Sequence, residues 1–291
     1  MGVGDLRPDG FHSLITVFHA ISLHDTITVT DQSVPCLWIQ GEGAGIVSTG
    51  PDNLAWRAAA ALAAHVGDND RVDDLQIVLD KAIPVAGGMA GGSADAAGTL
   101  VALRQLWNVN VTDAELATIA ARLGSDVPFM LIGRTALGTS RGERLTPIPV
   151  AADLHWVVAL DCGALSTPVV FAELDKLRAR GQRDDADPVE PLLAALAEGD
   201  AYDVAKWLGN DLQAAALSLR PSLASTLDTG LAAGALAGVV SGSGPTCVFM
   251  AVDAESAEVV AAHLTRSGVC RDALVATDEV PGAHVVTPAV D

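Results

Sequence analysis

Apolar and polar positions alternate along some stretches of this chain and recur at three- and four-residue intervals along others. The alternating stretches predict half-buried strands, and the longer periodic stretches predict helices with one buried face. The predicted strands cover residues 11–23, 25–29, 36–40, 75–79, 145–150, 155–160, 246–252 and 273–277. The predicted helices cover residues 54–66, 93–107, 113–123, 167–180, 189–198, 201–208, 211–217, 222–233 and 254–267.

Strands flanked by helices occur in both halves of the chain, and the pattern restarts near residue 151. This order predicts an α+β fold in two domains, residues 1–150 and 151–291. Of the connections, residues 1–10 are turn-like, and residues 238–244 form a glycine-rich turn. The Val127-Pro128 step is expected to end regular structure.

The segment between the strand at 75–79 and the helix at 93–107 carries two Gly-Gly pairs and a serine. Bare backbone can approach a ligand closely and can adopt a positive φ. Ser93 is predicted to cap the helix, whose free amide groups and dipole favour an anion. We therefore predict a polyphosphate-binding loop, although glycines at such a junction can also form a plain turn. Its residues are Pro84, Val85, Ala86, Gly87, Gly88, Met89, Ala90, Gly91, Gly92, Ser93 and Ala94.

Composition narrows the possible partners. The chain has 291 residues, half of them hydrophobic, and a formal net charge of −19. A field of that sign repels nucleic acids and anionic membranes, so we expect neither as a partner. The cysteines show no Cys-x-x-Cys pair and the histidines no ligand spacing, so no metal site or disulfide framework is expected. With no signal peptide and no spanning apolar run, the chain is expected to be soluble and cytoplasmic.

Three further segments carry residues that could take part in catalysis or binding. Asp126, next to Val127-Pro128, is a carboxylate that could take a proton from an attacking hydroxyl, although spacing alone favours a cap of the next turn. The run at 241–244, Ser-Gly-Ser-Gly, offers small residues and free N–H groups, or simply a turn. Phe11 and His12 could stack on a planar base, or pack at the edge of the core.

Three motifs in order resemble a known superfamily. The loop pattern Pro-x-x-x-Gly-Met-Ala-Gly-Gly-Ser-Ala is similar to the ATP loop of the GHMP small-molecule kinases, and it matches neither a Walker loop nor the dinucleotide fingerprint. Gly-Ser-Asp-Val-Pro-Phe at 124–129 and Ser-Gly-Ser-Gly-Pro-Thr at 241–246 extend the likeness over almost the whole chain. Together they resemble, more narrowly, the GHMP kinases that act on 4-diphosphocytidyl-2-C-methyl-D-erythritol.

The resemblance implies a ribosomal protein S5 domain 2-like N-terminal domain and a ferredoxin-like C-terminal domain. It implies ATP and Mg²⁺ as cofactors, the glycine loop as the ATP site and Asp126 as the catalytic base. The implied reaction moves the γ-phosphate of ATP to the 2-hydroxyl of a small molecule, cytidine diphosphate-linked methylerythritol, in the non-mevalonate isoprenoid precursor pathway. The implied substrate-binding residues are Phe11, His12, Thr167, Pro168, Ser241, Gly242, Ser243 and Gly244, with Phe171 beside them.

Two alternatives stay open: a GHMP kinase for homoserine, mevalonate or a sugar, and a nucleotide-binding form without catalysis. The second arises because family members carry a catalytic lysine in a Gly-Lys-x-Asn strand, and Met1 to Leu6 contains no lysine. Either the start of the sequence lies too far downstream, or this form lacks that strand and its cation.

The charged residues around the loop are expected to play minor parts. Asp95 should point away from the loop or meet Mg²⁺, and Lys81 should be a solvated strand end rather than a phosphate ligand. A monomer or a weak homodimer is expected.

Overall fold

The computed structural model describes residues 1–85, 87–151, 153–182, 188–278 and 280–286. The described residues group into two compact units. The first unit is drawn from Met1–Ser22, Ala86–Met89 and Arg134–Val280, and the second from Leu23–Val85, Ala90–Gly133 and Pro281–Asp291. The predicted domains 1–150 and 151–291 divide the chain differently, and they stay a prediction.

Strands and helices are numbered along the chain. The strands are β1 (Gly2–Leu6), β2 (His12–His19), β3 (Thr26–Asp31), β4 (Cys36–Gly41), β5 (Leu75–Lys81), β6 (Thr135–Ser140), β7 (Arg144–Pro147), β8 (His155–Leu160), β9 (Ala237–Val240), β10 (Cys247–Ala251) and β11 (Asp272–Thr277). The helices are α1 (Leu54–Val66), α2 (Gly91–Leu106), α3 (Asp113–Leu123), α4 (Val127–Ile132), α5 (Thr167–Ala179), α6 (Val189–Glu198), α7 (Ala201–Lys206), α8 (Gln213–Leu219), α9 (Ser222–Ala232) and α10 (Ala254–Ser267).

Part of the first unit has the ferredoxin-like order of elements. Its sheet runs β11-β8-β10-β9, and every strand is antiparallel to its neighbours. Helix α9 precedes β9 and helix α10 links β10 to β11, which with β8 gives a βαββαβ order into which α5 to α8 are inserted. Val157, Phe249 and Leu264 belong to the buried cluster that this sheet shares with its helices. The predicted α+β fold with a ferredoxin-like part is confirmed.

The first unit also contains an antiparallel sheet of order β1-β2-β6-β7. The prediction that all of residues 1–10 are turn-like is wrong for Gly2–Leu6, which pairs with β2. This short, glycine-containing segment shows no apolar alternation, and the sequence pattern therefore does not predict a strand. Pairing with β2, rather than the burial of side chains on one face, makes it a strand. The tight turn at Pro8-Asp9-Gly10 is present, since Gly10 donates to the carbonyl of Arg7 at 3.0 Å.

In the second unit, β5 lies between β3 and β4 in a three-stranded sheet. The buried residues of β5 occupy every second position: Leu75, Ile77, Leu79 and also Lys81. Helices α1 and α2 pack with this sheet around a core that is rich in alanine and leucine. The parity that buries three apolar side chains thus carries a lysine into the same interior.

Local signals explain where the predicted bounds hold and where they fail. Helices α1, α3, α6 and α10 have the predicted bounds, and Thr112 caps α3 through a capping box. Val127-Pro128 begins α4 instead of ending regular structure, because a proline in the first helical turn replaces an amide that has no partner there. The glycine-rich turn predicted at 238–244 begins later, because β9 includes Gly238. Among the described residues, none of the helices has both the length and the apolar composition needed to cross a bilayer.

Candidate active site

The glycine loop leads into helix α2 without a side-chain cap. The helix begins at Gly91, and its N-cap residue is Ala90, in the left-handed region with φ 54°. The prediction that Ser93 is the cap is therefore wrong: Ser93 lies in the first turn, where its amide donates to the carbonyl of Ala90 at 2.9 Å. Alanine has no acceptor to offer, so the start of this helix is left open to a ligand.

The amide groups of the loop fit an anionic ligand. Among the described residues, none of the N–H groups from Gly87 to Gly92 donates a hydrogen bond to another described group. Unpaired amides at the positive end of a 16-residue helix are the donors that a phosphate group needs. The loop residues Pro84, Val85 and Ala90 to Ala94 lie in the second unit, and Gly87 to Met89 lie in the first. Ala86, also predicted to bind ATP, falls outside the described residues.

The tip of the loop packs on the third motif, within the first unit. The Ser241 hydroxyl donates to the carbonyl of Gly88 at 3.0 Å, and the Thr246 amide donates to the carbonyl of Gly87 at 3.2 Å. Gly88 has φ +73°, and an added Cβ would lie 2.3 Å from the carbonyl oxygen of Ser241. Glycine is needed at this position for both its backbone conformation and the close approach.

The third motif is itself held by a side chain that sequence reasoning missed. Asn210 donates through its amide nitrogen to the carbonyls of Val240, at 2.8 Å, and Gly242, at 2.7 Å. Its side-chain oxygen accepts from the amide of Leu212 at 2.9 Å. An asparagine shortly before a helix suggests a cap, but the N-cap residue of α8 is Leu212, so the sequence signal does not reveal what Asn210 does.

Thr167 and Pro168 stand next to the same motif. Thr167 begins α5, and its hydroxyl lies 2.9 Å from the hydroxyl of Ser243, which is buried. Pro168 occupies the second helical position, where a missing amide hydrogen costs nothing. The structure thus brings together the predicted substrate-binding residues Thr167 and Ser243.

Phe11 and His12 occupy different environments. His12 is buried, its Nε2 lies 2.9 Å from a carboxylate oxygen of Asp175, and its ring stacks on Phe171 with centroids 5.1 Å apart. The ring of Phe11 is half-exposed, with the guanidinium of Arg141 5.0 Å from its centroid. These aromatic surfaces suit a planar base, although His12 and Phe171 already cover one face of each other.

Asp126 stands at the N-cap position of α4, but its side chain makes no capping hydrogen bond. The alternative that this carboxylate serves as a cap is therefore wrong. Burial raises the pKa of Asp126 above its ordinary value. A carboxylate that is harder to ionise is also a better proton acceptor, which is what a general base for a hydroxyl requires.

Lys81 is not a solvated strand end. Its Nζ lies 2.6 Å from a carboxylate oxygen of Asp25 and 2.6 Å from one of Asp95. Burial opposes the charge of Lys81, but Asp95 and Asp25 together outweigh it and raise the pKa of the ammonium group. Burial also raises the pKa of Asp95 to about 7, even though Lys81 acts in the opposite direction. Asp95 thus faces Lys81. Among the described residues, no group of three acidic, histidine or cysteine side chains could hold a metal ion.

Two family models match this chain. The model of the GHMP kinases N terminal domain matches residues 53–134, and that of the GHMP kinases C terminal domain matches residues 192–270. The first of these ranges contains the whole glycine loop and Asp126, and the second contains Asn210 and the third motif.

Relatives resemble the chain over nearly its whole length. The 4-diphosphocytidyl-2-C-methyl-D-erythritol kinase of Rhodococcus jostii is 53% identical over 291 residues, which are 100% of this chain and 93% of that protein. The kinase of the same name from Mycobacterium tuberculosis is 54% identical over 287 residues, which are 99% of this chain and 89% of that protein.

Solved structures give the same result. A crystal structure of 4-(cytidine 5'-diphospho)-2C-methyl-D-erythritol kinase is 33% identical, with a TM-score of 0.76 over 95% of this chain and 94% of that one. Homoserine kinase from Cytophaga hutchinsonii shares the fold, with a TM-score of 0.73 at 17% identity over 93% of this chain and 90% of that one. The chain therefore belongs to the GHMP kinases and, among them, to the family of the 4-diphosphocytidyl-2-C-methyl-D-erythritol kinases.

Proposed function

We propose that this chain transfers the γ-phosphoryl group of ATP to the 2-hydroxyl of 4-diphosphocytidyl-2-C-methyl-D-erythritol, in the non-mevalonate route to isoprenoid precursors. The observation that carries the proposal is the open start of α2, where the loop amides from Gly87 to Gly92 have no partner among the described residues. Such a row of donors matches the charged oxygens of a triphosphate. The full-length similarity to kinases with this name supports the choice of acceptor.

The loop residues Pro84 to Ala94 bind the triphosphate in this proposal, mainly through backbone amides. Mg²⁺ bound with the nucleotide would neutralise part of the phosphate charge. The chain itself carries a net negative charge and cannot do so through its overall field. Phosphoryl transfer depends largely on positioning and charge stabilisation, so rigid loop geometry matters more than covalent chemistry. Gly88 supplies that rigidity through its contact with Ser241.

Asp126 is the proposed general base. Its carboxylate accepts the proton of the acceptor hydroxyl as that oxygen attacks phosphorus, and the absence of a capping bond leaves it available. The proposed acceptor-binding groups are the aromatic residues Phe11, His12 and Phe171 for the cytosine, and Thr167, Pro168 and residues 241–244 for the rest of the molecule. Cytosine can stack on these rings, and hydroxyls can bind its phosphates and sugar.

The test of the reaction compares the purified protein with its Asp126→Asn variant. Release of ADP is measured with the proposed acceptor, and the product is identified by mass. Asp113→Asn serves as the matched control, because Asp113 is an exposed carboxylate at the start of α3. We expect phosphorylated acceptor from the wild type and the control, and a rate lower by about a hundredfold or more from Asp126→Asn. Equal rates in all three proteins would remove Asp126 from the mechanism.

The proposal also includes the setting of the enzyme. We propose a cytoplasmic monomer or weak homodimer, organised as domains 1–150 and 151–291, without nucleic acid or membrane as a partner. Sedimentation at micromolar concentration distinguishes a stable dimer from these states. A homoserine or mevalonate panel, run beside the cytidine substrate, decides the acceptor.

A further inference from the structure

Three ionisable side chains share the interior of the second unit. Lys81 lies between Asp25 and Asp95, with both nitrogen-to-oxygen distances at 2.6 Å. The exposed fractions of their side chains are 3%, 0% and 3%. Two carboxylates thus compete for one ammonium group in a place that water does not reach.

Asp25 is fully matched in this group. One of its oxygens accepts from Lys81, and the other accepts from the amides of Ala82, at 2.6 Å, and Ile83, at 2.8 Å. These amides lie at the end of β5, where the chain enters the glycine loop. Asp25 and Lys81 therefore already form a complete, charge-balanced pair.

Asp95 is the second carboxyl group, for which the cluster has no further cation. One oxygen accepts from Lys81, but its other oxygen, Oδ1, is buried and has no partner among the described residues. A second negative charge and an unsatisfied acceptor both destabilise a folded protein. Packing alone does not call for a carboxylate at this position, so its benefit must lie elsewhere.

The position of Asp95 indicates that benefit. Lys81 is the last residue of β5, and Asp95 is in the first turns of α2, so their contact spans the glycine loop from its start to its end. The two ends approach closely: a Cβ added to Gly91 would lie 3.0 Å from Cγ2 of Ile83 and 3.7 Å from Nζ of Lys81. The Lys81–Asp95 contact therefore fixes the separation of the two ends.

We propose that Asp95 is a positioning residue that acts through Lys81 to set the geometry of the glycine loop, at a cost in stability that the fold alone would not require. The role in ATP binding rests on the function proposed above. Asp95 does not touch the nucleotide in this proposal. It holds the start of α2 against the end of β5, so that the loop amides keep one arrangement before the ligand arrives.

Two substitutions separate position from charge. In Asp95→Asn, the amide oxygen still accepts from Lys81 while the excess charge is gone. In Asp95→Ala, the contact itself is gone. Asp113→Ala is the control for loss of an exposed carboxylate in the same unit, where Arg104 is its partner.

We expect Asp95→Ala to raise KM for ATP about tenfold, which corresponds to about 1.4 kcal/mol, without lowering the melting temperature. Asp95→Asn should keep a KM close to that of the wild type and should melt at the same or a higher temperature at pH 8. The KM of the wild type should vary more between pH 6 and 8, where Asp95 titrates, than the KM of Asp95→Asn, in which only the ionisation of the nucleotide remains. Asp113→Ala should resemble the wild type throughout.

A second measurement does not depend on kinase activity. In the ligand-free protein, hydrogen exchange at the amides of Ala82, Ile83, Ser93 and Ala94 reports on both ends of the loop, because each donates a hydrogen bond. Exchange should be faster in Asp95→Ala and unchanged in Asp95→Asn and in the control. The proposal would be overturned if Asp95→Ala had the same amide exchange and the same KM for ATP as the wild type. It would also be overturned if both Asp95 variants showed the same rise in KM together with a lower melting temperature. An inactive wild type with the expected exchange pattern would count against the proposed function alone.

Discussion

Gly88 offers the sharpest test of how the glycine loop is held. An alanine there must adopt φ +73°, and its Cβ would lie 2.3 Å from the carbonyl oxygen of Ser241 and 2.9 Å from the amide nitrogen of Gly244. Gly268 in the same unit is the matched control, since it has φ +66° and an added Cβ meets no described atom within 4 Å. Both substitutions share the conformational cost, and Gly88→Ala alone adds the overlap.

The magnitudes follow from these two contributions. A left-handed alanine costs about 1–2 kcal/mol, which we expect for both variants. Overpacking against backbone adds about 1–3 kcal/mol at Gly88, because neither the loop nor the turn at 241–244 can rotate a side chain away. If the loop tip moves instead, a displacement near 1 Å lowers kcat/KM for ATP on the order of a hundredfold.

Urea unfolding and initial rates at limiting ATP measure the two effects. Gly268→Ala should lose stability only, whereas Gly88→Ala should lose more stability, or activity, or both. The reasoning fails if the two variants have the same unfolding free energy and the same kcat/KM for ATP, because the contact with Ser241 would then have no consequence.

Three further predictions concern titration and the third motif. Burial raises the pKa of Asp126, and only the ionised carboxylate can accept a proton. As pH is lowered, kcat should therefore begin to fall at a higher pH than it would with an ordinary aspartate, and a pH–kcat profile tests this. The pKa of Asp95 is raised to about 7, so its contribution to stability is fully present below about pH 4 and is lost as pH rises through 7. The unfolding free energy of the wild type relative to Asp95→Asn should accordingly fall by up to about 1.4 kcal/mol per pH unit between pH 5 and 7; a constant difference would contradict the assignment. Asn210→Ala leaves the carbonyls of Val240 and Gly242 without their donor, so we expect a loss of about 1–3 kcal/mol in urea unfolding and a higher KM for the acceptor, and an unchanged KM would separate Asn210 from the site.

Much of the fold follows from local patterns. Periodic apolar positions and caps predict α1 and α3 to the residue, because each is a long helix with a clear start signal. The β1 strand was missed since its pairing with β2 is set by a partner elsewhere in the chain. The α4 helix does not follow from the local pattern, because a proline can end a helix but in a first turn favours its start.

The candidate site shows the same division between local and distant causes. The glycine loop can be predicted from the sequence, because its glycines and the helix that follows them lie in one segment. The burial of Lys81 was also readable, since it shares the parity of Leu75, Ile77 and Leu79. Its two partners were not, because Asp25 and Asp95 come from segments 56 and 14 residues away in the chain. Asn210 was missed for the same reason: its carbonyl partners at Val240 and Gly242 lie 30 and 32 residues later.

The interleaved origin of the two units has a consequence for synthesis on the ribosome. The hairpin of β1 and β2 is translated long before β6, whose residues are 135–140 and with which β2 pairs. An isolated two-stranded hairpin is barely stable in water, so Met1–Ser22 gains little stability while more than a hundred further residues are translated. The second unit, complete in its main part by Gly133, can collapse earlier. Nascent chains whose residues up to 133 have left the ribosome should therefore resist protease across Leu23–Gly133, while Met1–Ser22 remains cleavable.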